Sequence, residues 1–118
     1  MNFRFRNFKV YQEAKLIHLK VIKVTNSFDK KFDYLANQIR RSSLSVILNI
    51  AEGSAKISDK DFNRYLEMAM GSVNETVAGL EVAQEMNLIE KDIFLALENS
   101  YSQIVNQLGG FSKKLRTS

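Results

Sequence analysis

Cysteine, proline and tryptophan are absent from this 118-residue chain, and glycine occurs only five times. Without cysteine there is no disulfide framework and no thiolate zinc site, a composition at home in a reducing cytosol. Without proline, and with so little glycine, the usual helix breakers are missing, while a compact all-β fold would lack its customary turn residues. Long helices meet little local opposition, so the expected class is all-α. No apolar run approaches a membrane span, and the arginines of "MNFRFRNFKVYQ" precede no apolar signal core, so a cytoplasmic protein with no membrane association is expected. A single histidine leaves little material for imidazole-based catalysis or metal binding.

What is present is apolar periodicity. An apolar content of 45% in 118 residues fits one domain over residues 1–118 with a single packed core. Val10, Ala14, Ile17, Val21, Val24 and Phe28 recur at spacings of four and three, predicting a helix over about 8–26. Leu35, Ile39, Ser42, Val46, Ile50 and Gly53 predict a second over about 33–53, with Gly53 placed to supply a left-handed end. Ser58 is an N-cap candidate ahead of Asp59 and Asp61, and Phe62, Tyr65, Ala69, Val73, Thr76, Leu80 and Ala83 carry a third helix over 58–87. Ile93, Leu97, Tyr101, Ile104, Leu108, Phe111 and Leu115 mark a fourth over 90–116, weakened at Gly109-Gly110. Short connections favour antiparallel neighbours, so the expected fold is an up-and-down antiparallel four-helix bundle.

The second helix has more apolar surface than one stripe requires. Leu44, Ile47, Leu48 and Ala51 lie away from the first face, and Tyr11, Leu19 and Ile22 lie off the stripe of the first helix. Such surface on a soluble protein marks an interaction site, so a homo-oligomer with these residues at the contact is expected. Arg40 falls on the same face, where interface pairing precedes phosphate contact as its role. Ser42, Ser43 and Ser45 permit close helix approach and can bond back to helix carbonyls. Glu52 near a helix C-terminus calls for a cationic or backbone partner, and Asn49 for a local or interhelical one.

Charge is uneven: residues 1–56 hold eleven Lys/Arg against four Asp/Glu, and the remainder six against nine. A basic surface is implied, and with it an acidic partner such as RNA or DNA, through Arg4, Arg6, Lys9, Lys20, Lys23, Lys30, Lys31, Arg41 and Lys56. Lys20, Lys23, Lys30 and Lys31 carry the larger share of that expectation. "FRFRNF" alternates aromatic and basic residues in the manner of a single-strand contact. Phe5 and Phe8 are read as hydrophobic caps of the bundle, Phe3 and Arg4 as freer, and Asn7 as a cap for the first helix. The plain alternatives are a solvated lysine-rich surface and a protein-interaction scaffold that binds no nucleic acid.

Enzymatic classes find no foothold. There is no nucleophile–base pair, and His18 reads as a flank or interface residue. No Glu-x-x-His step exists for a di-metal carboxylate bundle, so no metal is expected. "GSAKIS" lacks both the glycine spacing and the preceding strand of a nucleotide loop, so no cofactor is expected. Met68 and Met70 read as core and flank filling.

In order and spacing, "FRNFKVYQEA", "QIRRSSLSVILNIAEGSA" and "DFNRYLEMAMGSVNETVAGLEVAQEMNLI" resemble the four-helix-bundle family named for proteins encoded in intervening sequences of bacterial 23S ribosomal RNA genes. The resemblance runs from about Phe5 to Leu115. Its signature residues are Gln38, Arg40, Arg41, Asn49, Glu52, Gly53, Gly71, Ser72 and Glu75. Proline, common inside the second helix of the family, is missing from Ser45-Val46-Ile47-Leu48-Asn49; Tyr11 replaces a usual tryptophan, and Gly109-Gly110 is unusual. The resemblance implies a homopentameric ring of bundles, and similarity to basic accessory proteins of retroelements that associate with nucleic acid and with a reverse transcriptase.

Overall fold

The computed structural model describes residues 2–117. Four helices follow in order, α1 (Lys9–Thr25), α2 (Asp33–Ser54), α3 (Asp59–Glu85) and α4 (Lys91–Thr117), with 3-10 turns at Arg4–Asn7 and Lys30–Phe32. Among the described residues there is no strand. Every pair of sequence-adjacent helices packs together and α1 also meets α4, which closes an up-and-down bundle measuring 46 × 26 × 19 Å. At about 1.5 Å per residue the 27-residue helices α3 and α4 run nearly its whole length.

The helix ends have local causes. The Ser58 hydroxyl accepts from the Asp61 amide at 3.1 Å and caps α3, with Asp59 and Asp61 in the first turn. The other end of α3 closes as a Schellman motif: Leu88 N donates to Ala83 O and Asn87 N to Gln84 O, with Asn87 at φ 63°. The left-handed end expected at Gly53 does not form: α2 continues through Gly53 to Ser54 and its C-cap Ala55 is right-handed. Asn7 does not cap α1; it sits in the first 3-10 turn, and Phe8 is the N-cap residue with no side-chain bond. α4 runs unbroken through Gly109-Gly110.

The core follows the predicted stripes closely. In α4 the first core residue is Phe94, and Ile93 points outward, a one-position shift that also leaves Ser112 buried. Phe62 is buried as expected, while Leu66, fully buried in α3, is a core residue that the four-three pattern passed over in favour of half-buried Tyr65. Met70 packs against the core while Met68 is exposed.

Gly53 has a packing reason. A Cβ there would stand 2.8 Å from Tyr65 Cβ and 2.9 Å from Phe62 Cδ1, so glycine lets α2 and α3 approach at this level. Glycine at 79 serves similarly against Ile39, with a Cβ at 2.8 Å from its Cγ1. Nothing lies within 4 Å of a Cβ at Gly71, Gly109 or Gly110.

A hydroxyl network threads the middle of the bundle. Thr76 donates to Ser42 at 2.8 Å and Ser72 to Ser45 at 2.9 Å, joining α3 to α2. Tyr101 of α4 donates to Ser43 at 3.1 Å, and Ser43 meets His18 Nδ1 of α1 at 2.7 Å. Each buried oxygen is therefore satisfied, which low-dielectric surroundings demand. Ser42 does bond back to a helix carbonyl as expected, but Ser43 and Ser45 spend their hydroxyls across and along the helices.

Candidate nucleic-acid and assembly surfaces

The up-and-down path folds both termini of the chain and the α2–α3 connection onto one end of the bundle. There Phe8 packs on Phe62 and Phe111, centroids 6.2 and 5.2 Å apart, so Phe8 is the hydrophobic cap expected. Phe5 meets Tyr11 edge-on at 4.8 Å. Arg4 is less free than its terminal position suggested: its Nε donates to Ser54 O at 3.0 Å and its guanidinium lies 5.3 Å from the Phe62 centroid. Arg6 lies over the exposed Phe3 ring, and Lys56 and Arg64 over Tyr65.

This end has an excess of basic residues. Residues 2–13, 48–68 and 106–117, which share it, hold nine Lys/Arg against five Asp/Glu. Of the cations expected to meet phosphate, Arg4, Arg6, Lys9 and Lys56 come together here. They are joined by five that sequence reasoning did not single out: Lys60, Arg64, Lys113, Lys114 and Arg116. Only the antiparallel return of α4 brings the last three beside Lys9, and Lys114 shares with it an open cavity of about 390 Å³ floored by Phe8, Val10 and Phe111. Lys9 also stands 3.8 Å from Glu13, an exposed pairing that contributes little.

Lys20, Lys23, Lys30, Lys31 and Arg41 occupy the other half of the molecule, on the flank formed by α1 and α2. All five are exposed. The structure thus divides the predicted cations into two groups, one at this end and one spread over the α1–α2 flank.

The same α1–α2 flank carries the apolar surface. Leu19, Leu44 and Leu48 are 64%, 41% and 55% exposed, bordered by half-buried Tyr11, Ile22 and Ala51. Ile47 does not belong to this surface: at 6% exposure it lies in the core, because its position on α2 turns toward α1. Arg40 is turned into the α1–α2 seam, where Nε donates to Thr25 Oγ1 at 2.9 Å and Nη2 to Asn26 Oδ1 at 2.8 Å. Its first role is therefore to fasten the end of α1 within its own chain. With Arg41, His18, Asn37, Ile22 and Leu44 it lines an open cavity of about 390 Å³ that no carboxylate lines.

The remaining signature residues are structural. Gln38 Nε2 donates to Glu75 at 3.1 Å, and Asn49 to Ser45 O at 2.9 Å. Among the described residues Glu52 takes neither a cation nor a backbone donor; the Tyr65 hydroxyl approaches it at 3.4 Å. Exposed Gly71 has no steric requirement inside the bundle.

Ser43 and His18 have the outline of a nucleophile and a base, but their geometry does not suit attack. Ser43 is buried between α1 and α4, and its oxygen is engaged by Tyr101 as well as His18. Tyr101 donates to Ser43 Oγ, and the second partner of that oxygen is His18 Nδ1. Burial lowers the His18 pKa and pushes the Tyr101 phenol up to about 12 against the smaller opposing effect of its bond to Ser43. Among the described residues no three His, Asp or Glu side chains converge as metal ligands. No described helix is long and apolar enough to cross a membrane.

No curated protein matches the chain. A crystal structure of a protein of unknown function from the S23 ribosomal protein family of Bacteroides thetaiotaomicron is similar, with a TM-score of 0.83 over 88% of this chain and 98% of that one. At 24% identity that similarity speaks for the fold alone. The profile described as 23S rRNA-intervening sequence protein matches residues 6–110, a span holding all of α1 to α3, most of α4 and every signature residue, and the chain therefore belongs to that family.

Proposed function

We propose that this protein is a non-enzymatic, self-associating helical bundle that holds RNA or another structured nucleic acid through phosphate contacts made by its basic end. The observation behind this reading is the gathering of nine Lys/Arg against five acids at one end, interleaved with the rings of Phe3, Phe62 and Tyr65. Cations of that density favour a polyanion, and their contacts carry no base-reading geometry, so binding has little sequence preference. Repetition of the end in an oligomer adds weak contacts by avidity. Lys20, Lys23, Lys30 and Lys31 are assigned a secondary part, since they are dispersed over another flank.

Self-association is supported by Leu19, Leu44 and Leu48, whose exposure on one flank leaves apolar surface that a partner would cover. The same leucines favour the second reading, a scaffold for another protein with no nucleic acid involved. Fluorescence anisotropy with a labelled RNA of about 20 nucleotides separates the two. Some four phosphate contacts per copy give a log–log salt slope of about −3 for a single strand, a loss of roughly 50-fold in affinity between 50 and 200 mM salt. Absence of binding at the lower salt, or binding that salt leaves unchanged, refutes the nucleic-acid reading.

A further inference from the structure

Gly109 and Gly110 stand in the interior of α4, where glycine is a poor helix former. The fold gives neither a reason to be there. No glycine among the described residues has a positive φ, and a Cβ at 109 or 110 meets nothing within 4 Å. At Gly53 and Gly79, by contrast, a neighbouring side chain already fills the place of a Cβ. What the missing side chain at 110 leaves open is the cavity of about 390 Å³ at the basic end, which Gly110 lines.

That cavity lies in the seam between the start of α1 and the last turns of α4. Phe8 and Val10 floor it from one helix and Phe111 from the other, with the two rings edge to face at 5.2 Å. Lys9 stands on the α1 wall and Lys114 on the α4 wall, one turn beyond Gly110 on the same face of the helix. No acid lines the cavity. Lys114 forms no ion pair among the described residues, and Lys9 has only the long contact to Glu13. Gln107 donates its amide N–H to Glu13, which leaves its carbonyl oxygen without a partner among the described residues.

We propose that this cavity takes one unpaired base of the bound strand, laid on the Phe8 and Phe111 rings, with the phosphates on either side of it held by Lys9 and Lys114. The inference rests on the phosphate-binding reading above and narrows its ligand to a single strand or a loop, because the bases of a continuous duplex are stacked within it. An aromatic floor accepts the face of any base, so the site is tolerant of sequence. Two ammonium groups, one from each wall, match a nucleotide inside a strand, whose base is flanked by two phosphates. A fatty carboxylate would offer them a single charge. The cavity volume falls within the range of small-ligand sites.

Gly110→Leu closes the cavity without changing charge. Leucine is the better helix former and its Cβ meets nothing at this position, so the variant is expected to fold, which circular dichroism checks. Anisotropy titrations across salt compare a single-stranded RNA with a blunt duplex of equal length. Electrostatics alone favours the duplex, whose charge density is higher. The intact protein is instead expected to bind the single strand more tightly. In Gly110→Leu the affinity for the single strand should fall about 10-fold, the loss of one base–aromatic contact, while the salt slope stays that of the intact protein because no phosphate contact is removed. Undiminished single-strand affinity in Gly110→Leu, or a preference of the intact protein for the duplex, overturns the base pocket and leaves the phosphate reading standing. A loss accompanied by a shallower salt slope overturns it as well, since the lysines and not the rings have then been disturbed. Failure of the intact protein to bind either RNA at low salt overturns the phosphate reading and this inference together.

Discussion

Replacing Gly53 by alanine isolates the close approach of α2 to α3. A helix-interior glycine is about 1 kcal/mol worse than alanine, so on propensity alone the substitution stabilises the protein. The added Cβ would, however, stand 2.8 Å from Tyr65 Cβ and 2.9 Å from Phe62 Cδ1. Tyr65 Cβ is fixed to the α3 backbone and cannot turn away, so the helices must separate, at a cost near the upper end of the 1–3 kcal/mol usual for overpacking. The expected net effect is a loss of about 1–2 kcal/mol. Gly71→Ala is the internal control: its Cβ meets nothing within 4 Å, and it should gain up to about 1 kcal/mol. Urea denaturation of the two variants should show midpoints moving in opposite directions with unchanged m-values, and melting temperatures separated by roughly 10 °C. If Gly53→Ala stabilises as much as Gly71→Ala, the packing account of this signature glycine is wrong.

The hydroxyl network and the apolar flank give further expectations. Ser43→Ala strands the Tyr101 hydroxyl, buried in the core, and should cost about 1–3 kcal/mol, whereas Tyr101→Phe leaves Ser43 its bond to His18 and should cost about 1 kcal/mol; urea midpoints that reverse this order would contradict the network. The His18 pKa is lowered below 6.5 in the folded protein by burial, so between the folded and unfolded values the unfolded chain binds more protons and stability rises with pH. Unfolding midpoints should therefore fall as pH drops from 7.5 through 6.5 toward the folded value, with a smaller fall in His18→Gln; equal falls in both proteins would show that His18 contributes nothing. Leu48→Asp puts a charge into the exposed apolar strip and should lower the mass seen by light scattering with helical content intact; an unchanged mass places the contact elsewhere.

How much of this could be read in the sequence depended on how local the cause was. The core stripes of α1 and α2 were legible because Val10, Ala14, Ile17 and Val21, and Leu35, Ile39, Ser42, Val46 and Ile50, recur at one helical period, and all of them are buried. Ser58 was legible as a cap because the Ser-Asp-Lys-Asp step is a local chemical statement. Ile47 was misplaced because its side of α2 faces α1, and an angle between two helices is not written in either one. Arg40 was given to an external partner for the same reason: Thr25 and Asn26 are fourteen or more positions away, and a turn returns them to it. The basic end was half visible at "FRFRNF", but Lys113, Lys114 and Arg116 become its neighbours only through the antiparallel return of α4. The left-handed end assigned to Gly53 does not form, because α2 continues in right-handed conformation through Gly53 to its C-cap Ala55.

The central claim is that the end built from both termini and the α2–α3 connection meets phosphate, and one comparison tests it most directly. RNA anisotropy titrations across salt would be run on the intact protein, on Arg6→Gln/Lys9→Gln/Lys113→Gln/Lys114→Gln, and on Lys20→Gln/Lys23→Gln/Lys30→Gln/Lys31→Gln, all of matched net charge change. The basic-end variant should lose most of its affinity, and its salt slope should shrink by about 0.7 for each phosphate contact removed, while the α1-flank variant loses less on both counts. Equal losses in the two variants would mean that net charge alone is at work, and a larger loss in the α1-flank variant would move the phosphate site to the other half of the bundle.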